Sequence, residues 1–494
     1  MGSKENIIVI MCDQLKVDTL GCYGNTICQT PAIDSLAKDG VTFDTAYTTC
    51  PICSPSRASL QNGLYPSRHG LTSNTLDQAS RVHEIKDTPR VLSHQLAPQG
   101  YSMGFTGKWH LGFGYRPNAT AEEISLFPNR YITEERAIPS MMGFEADDFP
   151  GYGGLQSTGG ERYREYLKEN NLEYKNTITY SQKNEHTCWG EVTSPVESTM
   201  DYFLIERSKK YISDFKERGK PFCFQTHFWG PHASAMPPKE VMDKYRDVEI
   251  PPSPSWEDSL VDKPRIHNLW RRHEKDWPYF QEFIRHYWAY MESIDTQIGR
   301  LLDFLKEENL YDNSWIIFTA DHGDSQGCHR GLENKSIHMY EETTRIPLIV
   351  KAPAKYESGG RRNQPVGTCD IYATMLDIAG IDLTNDDGDG MSLVPLMKDQ
   401  NAPWRDATVT ECFGLSGISF SQKMIRSGSL KYVFNSGDID ELYDLDKDPY
   451  ELHNCINDAN RQEDLKAMRD KLCAWMEEHD DGDQGLWAFK QLTA

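Results

Sequence analysis

Short apolar runs rich in β-branched residues recur along most of the chain, and each stops abruptly in a polar cluster. NIIVIM (6–11) runs into Cys12-Asp13-Gln14, YSMGFT (101–106) into GKWH, and PFCFQT (221–226) into HFWGPH. SWIIFTA (314–320) runs into DHGD, and RIPLIV (345–350) into KAP. Between them lie helical periods such as TPAIDSLAKDG (30–40) and SIDTQIGRLLDFLKEENL (293–310). Strands alternating with helices predict a parallel sheet covered by helices on both faces. Ligands gather outside the carboxyl ends of such strands. Each polar cluster sits at that end of its strand, so the clusters are expected to converge.

Two stretches break the pattern. Residues 115–200 are rich in Gly, Tyr and Asn, and residues 250–290 carry prolines with Trp256, Trp270, Trp277 and Trp288. Both read as elaborations around the mouth of a site. Beyond about residue 385, TNDDGDG reads as a loop, MIRSGSLKYVF and ELYDLDKDPYELHN as antiparallel strands, and RQEDLKAMRDKLCAWMEEH as an amphipathic helix. The expected organisation is an α/β catalytic domain over 1–385 and a smaller α+β subdomain over 386–494.

Composition narrows the function. Apolar residues make up 38% of the 494, enough for a sizeable core. The net charge of −22 offers no basic excess to neutralise phosphates, which argues against nucleic acid. It also disfavours wrapping a highly sulfated polymer, although a local basic pocket can still hold one anionic group. IIVIM is too short for a signal sequence or a membrane span. The 12 cysteines are scattered, as expected of a reducing cytoplasm rather than a disulfide framework. Of two glycosylation sequons, at Asn118 and Asn334, the second falls inside the candidate site, where a glycan would block it.

Cys50 and Cys53 have the spacing of a redox dithiol or half of a zinc site. The chain is far larger than a thioredoxin-like unit, and no second pair stands at ligand spacing. Read forward, Ser54 suits a helix cap, Pro55 its first position and Gly63 its C′ end. Cys53 then lies just before a helix N-terminus, where N–H groups and the dipole favour an anion. Arg57, in the first turn, can fork onto an oxyanion. These residues fit a nucleophile beside an anion cradle, and equally a capped surface helix with an ordinary buried cysteine.

CSPSRASLQNG resembles the C-x-P-S-R-x-x-x-x-x-G signature of the type I sulfatases. In that family a maturation enzyme converts the cysteine to formylglycine, an aldehyde. DTLGCYGN, TPAIDSLAKDGVTFDTAY, GYSMGFTGKWHLG, DHGD, YEETTRIPLIV and ELYDLDKDPYELHN are also similar to sulfatase segments, in the expected order. The resemblance implies an alkaline-phosphatase-like fold, a mixed, mostly parallel sheet flanked by helices. It also implies one divalent metal, usually calcium.

The chemistry explains the modification. A thiol attacking sulfate would give an adduct that is hard to release. One hydroxyl of a hydrated aldehyde attacks sulfur, and deprotonation of the other then ejects sulfate and restores the aldehyde. This needs a metal, cations around sulfate and an acid for the leaving oxygen. The resemblance assigns the metal to Asp13, Gln14, Asp321, His322 and the modified Cys53. Gln14 stands where many sulfatases have a second aspartate, and His322 is a softer donor than calcium prefers, so magnesium and manganese are the alternatives. Lys108 and His110, two apart on an extended stretch, are expected to face one side. By resemblance Lys108 binds sulfate and His110 abstracts the proton that breaks the intermediate. His232, with His227 in reserve, contacts sulfate or the leaving group, and Lys335 steadies the leaving oxygen. His329, His338 and Asn334 are weaker candidates, and Asp324 reads as structural. The leading function is hydrolysis of a small sulfate ester, of a carbohydrate by preference. A phosphonate monoester or phosphodiester hydrolase of the same superfamily is the alternative, and a binding scaffold the third reading.

Overall fold

The computed structural model describes residues 4–75, 77–112, 137–148, 161–181, 188–272, 274–335, 337–356, 359–479 and 492. An eight-stranded sheet forms its centre. Its strands are β1 (Asn6–Asp13), β2 (Val41–Phe43), β3 (Ser102–Gly107), β4 (Ala146–Asp148), β5 (Phe222–Pro231), β6 (Ser314–Ala320), β7 (Leu348–Lys351) and β8 (Gly360–Arg362). Their order across the sheet is β8-β2-β7-β6-β1-β5-β3-β4. β1 lies at the centre, parallel to both β5 and β6. Residues 7–12 are fully buried, which explains a continuous apolar run where a half-exposed strand would alternate. The sheet is thus mixed and mostly parallel.

Three expectations need correction. β7 runs antiparallel to both β2 and β6, so the KAP cluster leaves the sheet at the opposite end from the other four. β5 continues through HFWGP to Pro231, because its extension is buried on both faces. The long helix starts at Trp277, well before Ser293, and runs to Glu307. Its first turns are aromatic, and Phe280, Phe283, Tyr287 and Tyr290 are buried. Trp277 and Trp288 therefore belong to a helix packed on the core.

Parts of the 115–200 stretch, including Asn118, lie outside the described residues. The described part includes a hairpin, Asn176–Ser181 with Cys188–Val192, which pairs with 235–238 just beyond His232. The chain ends in an antiparallel sheet of β9 (Ala407–Leu415), β10 (Ile418–Ser427), β11 (Leu430–Asn435) and β12 (Glu441–Asp444). The helix Gln462–Glu478 packs on it through Leu465, Met468, Leu472 and Met476. Leu393, Leu396 and Met397 instead join the main core. β9 is tied to the segment leading to Cys53, with Glu411 N–H donating to Thr49 O (2.8 Å) and the Thr410 hydroxyl to Thr48 O (2.6 Å). No helix among the described residues is long and apolar enough to cross a membrane.

One helix fixes the site. α1 (Cys53–Asn62) has all ten residues buried and ends at Gly63, whose φ of 70° and N–H bond to Ser59 O (2.8 Å) close its C-terminus. A Cβ on Gly63 would run into the Tyr372 ring of the neighbouring helix Thr368–Ile378. Gly63→Ala is expected to lower stability by about 1–3 kcal/mol in urea unfolding, from strain and overpacking together.

Candidate active site

Four polar clusters meet at the carboxyl ends of β1, β3, β5 and β6, over the N-terminus of α1. The register of β1 against β5 shifts between Met11 and Asp13, which re-aims the Asp13 carboxylate. Gln14 follows with a left-handed φ of 59°. Its N–H donates to Asp321 Oδ1 (2.9 Å), and its carbonyl accepts from the Tyr287 hydroxyl (2.5 Å). Lys108 and His110 do both reach the site, but not along an extended strand. β3 ends at Gly107, with φ of 101°, where a Cβ would meet the His227 carbonyl, and His110 itself has φ of 53°. Cys53 is the first helical residue, with Ile52 at the N-cap position making no side-chain cap bond. Ser54, expected as the cap, lies inside the helix and donates from Oγ to His110 O (2.6 Å).

Arg57 differs most from expectation. Its Nε donates to Asp321 Oδ2 and its Nη2 to Asp13 Oδ2, both at 2.9 Å. Nη1 donates to Lys108 O (2.7 Å) and meets His227 Nδ1 at 3.2 Å. Arginine has no acceptor, so His227 accepts on Nδ1 and carries its proton on Nε2. The guanidinium is 1% exposed and works as an internal strut, its fork turned onto protein carboxylates.

The Cys53 sulfur stands in a ring of charge. Lys335 Nζ is 3.0 Å away, His322 Nε2 3.3 Å, Lys108 Nζ 3.6 Å and Asp13 Oδ1 3.9 Å. Burial and the Asp13 charge push the thiol up, but Lys108, Lys335 and His322 outweigh them and hold it well below the usual thiol range. Burial opposes ionisation of Asp13 too, yet Lys108 (Nζ to Oδ2 2.6 Å), His232, Lys335 and Arg57 keep it strongly acidic. Burial lowers His110 below the ordinary imidazole range, which suits a neutral base. The ligand atoms of Asp13, Cys53, Asp321 and His322 all lie within 4.8 Å of one another and are buried. Two carboxylates, an imidazole and the Cys53 side chain form a donor set that fits a divalent cation.

The Gln14 amide lies beside this set, linked to the Cys53 sulfur through Lys335. Lys335 Nζ donates to Gln14 Oε1 (2.8 Å), and Asp324 accepts from Gln14 Nε2. Two partners of opposite kind thus fix which way the amide points. Burial pushes Asp324 up only to about 6, so it is ionised at neutral pH and accepts. His232 Nε2 lies 3.9 Å from Asp13 Oδ1, and at 19% side-chain exposure it stands at the mouth. His227 is buried behind Arg57. His329 bonds Asp258 (2.7 Å) and stacks on Tyr340, and His338 meets Ser325 Oγ at 3.2 Å. The Asn334 carbonyl accepts from Ser325 N–H at 2.9 Å. Sequence reading missed Tyr287, hidden in the aromatic helix, and the Asp324 lock on Gln14.

A family profile described as "Sulfatase" matches residues 5–381, and one described as "N-sulphoglucosamine sulphohydrolase, C-terminal" matches residues 329–478. The N-acetylglucosamine-6-O-sulfatase of Bacteroides thetaiotaomicron is 25% identical over 517 residues, covering 97% of this chain and 88% of that protein. A solved structure described as a complex with its substrate D-glucosamine-2-N,6-O-disulfate superposes with a TM-score of 0.74 at 20% identity, covering 97% of this chain and 99% of that one. The phosphonate monoester hydrolase of Agrobacterium radiobacter superposes with a TM-score of 0.76 at 21% identity, covering 96% of each chain.

The charge ring makes a prediction for protein carrying an unmodified cysteine. The Cys53 thiolate is populated well below the range where an ordinary thiol of pKa about 8.5 protonates. Its alkylation by iodoacetamide is therefore expected to stay nearly constant between about pH 8 and pH 6, where an ordinary thiol slows about a hundredfold. Lys108→Met should shift the profile towards ordinary pH dependence, and Lys108→Met/Lys335→Met further still. Cys50, buried and pushed up by that burial, should stay unlabelled by peptide mapping.

Proposed function

Because the chain belongs to the sulfatase family and is a sulfuric ester hydrolase, we propose that it removes sulfate from a small carbohydrate through a formylglycine hydrate made from Cys53. One divalent ion, calcium by first choice, would be held by Asp13, Gln14, Asp321, His322 and the modified Cys53. The observation that carries this reading is the convergence of Asp13, Cys53, Asp321 and His322. When bound, the ion would lower the pKa of the attacking hydroxyl and polarise the sulfate oxygens.

The chain's own residues supply the rest. Lys108 and Lys335, both within 3.6 Å of the Cys53 sulfur, place two cations where sulfate must approach. His110, neutral by burial, takes the proton whose loss releases sulfate. Lys335 and His232 face the leaving oxygen, and His232 at the mouth is the one nearer solvent. Arg57 binds no substrate oxygen in this reading. It holds Asp13 and Asp321 in place.

The N-acetylglucosamine-6-O-sulfatase among the relatives and the glucosamine disulfate complex among the similar structures support a sulfated amino sugar or related saccharide. The phosphonate alternative is favoured by one observation, the neutral amide of Gln14 in place of a second carboxylate. Parallel assays decide between them. Turnover of glucosamine sulfates well above that of phosphonate monoesters is expected, and the reverse order would overturn the proposal.

The maturation step has a direct readout. Mass spectrometry of the peptide spanning residues 50–57 should show the aldehyde at position 53 in active protein. Cys50→Ser should keep nearly full activity and Cys53→Ala should abolish it, while a fully active unmodified thiol would refute the mechanism. Asp324 tests the metal. Asp324→Asn frees the Gln14 amide to turn, and divalent-ion affinity measured by titration calorimetry should fall about 10- to 100-fold. Gln14→Glu should weaken binding by setting two carboxylates together, and the Gln14→Glu/Asp324→Asn pair should restore it. Lys335→Met is expected to slow sugar sulfates more than nitrophenyl sulfate, whose leaving oxygen hardly needs a proton. Equal losses would assign Lys335 to sulfate binding instead.

A further inference from the structure

A cavity of about 480 Å3 opens between the edge strand β8, the segment 400–406 and β10, lined among others by Arg361, Arg362, Gln364, Gln400, Asn401 and Arg426. β2, β7 and β6 separate β8 from β1, so it lies some four strand spacings, about 19 Å, from the catalytic centre. Its charges do not balance. Arg361 is paired with Asp44, and Asp406, also on its wall, with Lys471. Among the described residues, Arg362 donates only to the backbone carbonyls of Leu396 (2.7 Å), Arg361 (3.0 Å) and Gly359 (3.2 Å). Arg426 has buried Nε and Nη1 groups with no acceptor among the described residues. The Arg426 charge is felt by the Glu341 carboxylate, yet among the described residues no carboxylate pairs with either guanidinium, in a chain of net charge −22.

Buried charged donors without acceptors are costly and call for a partner. Guanidinium groups recognise carboxylate, sulfate and phosphate through paired N–H bonds. The remaining lining is amide-rich, and Gln364 Oε1 is a buried acceptor with no donor among the described residues. Amides of this kind suit hydroxyl groups, and the volume suits a small ligand. We propose that this cavity is a second, non-catalytic binding site for the anionic group of a small hydroxylated ligand, a sulfated or carboxylated sugar. Arg426 and Arg362 hold the anion, and Gln364 with its neighbouring amides holds hydroxyls. The proposal is independent of the metal and of the modification at Cys53.

Crystals of the unaltered full chain soaked in sodium selenate test the anion by its anomalous signal. Calorimetric titration with glucuronate, glucose 6-sulfate, inorganic sulfate and glucose tests the class. Selenate against Arg426, with glucuronate affinity at least tenfold weaker in Arg426→Met and nitrophenyl sulfate turnover unchanged, is the expected result. Saccharide anions binding more tightly than inorganic sulfate would identify the sugar as the ligand, and equal affinities would reduce the site to a simple anion site and overturn the sugar assignment. Glucuronate should also raise the melting temperature of the unaltered protein but not of Arg426→Met. Water alone in the cavity, selenate without a matching titration (an adventitious ion only), or equal binding of uncharged glucose would overturn the proposal. The crystallographic result on unaltered protein stands even if Arg426→Met fails to fold.

Discussion

One buried guanidinium organises the molecule's working end. Two carboxylates at the tips of neighbouring parallel strands, Asp13 and Asp321, repel each other where both are fully buried. Arg57 bridges both, binds the Lys108 carbonyl at the end of β3 and braces His227 in β5. Four strand ends are therefore tied to one helix through one side chain. A lysine could neutralise the charge but could not reach four partners in fixed directions. Removing one partner of such a buried pair costs about 3–5 kcal/mol, because it strands the others.

Much of this was legible from residue pattern alone. Apolar runs ending in Asp13, Lys108, His232 and Asp321 placed these residues at strand ends, and parallel topology brought them together. What escaped was set by backbone conformation and long-range contact. The direction of β7 has no signature, since its apolar run looks the same either way. Ser54 has the chemistry of a cap, but burial of the whole helix turns its hydroxyl to a distant carbonyl. Tyr287 sits in a stretch whose aromatic density masks its helical period. The Arg57 fork looked available to a ligand because nothing local shows that two aspartates already fill it.

The loop between His322 and Lys335 shows how a reactive position is held. Gln326, His329, Arg330 and Asn334 all adopt left-handed backbone, an unfavourable conformation for such residues. The turn is closed by Ser325 N–H to Asn334 O (2.9 Å) and Gly327 N–H to Leu332 O (2.8 Å). His329 clamps its tip between Asp258 and the Tyr340 ring. The base of this hairpin carries Asp324 on one side and Lys335 on the other, the two groups that grip the Gln14 amide. The left-handed residues of this loop thus lead directly into the lysine nearest the sulfur.

The burial of α1 has a temporal meaning. Every side chain from Cys53 to Asn62 is covered in the folded molecule, including Pro55 and Arg57. Under the proposed maturation, an enzyme altering Cys53 would need these residues extended and accessible, a state the chain has only before collapse. On the proposed reading, synthesis, folding and modification would compete, and a chain that folded first would keep an unmodified Cys53. In a cell making both kinds of molecule, the active fraction would report the order of events in the chain's first seconds, and no later rise in the modifying enzyme could correct it.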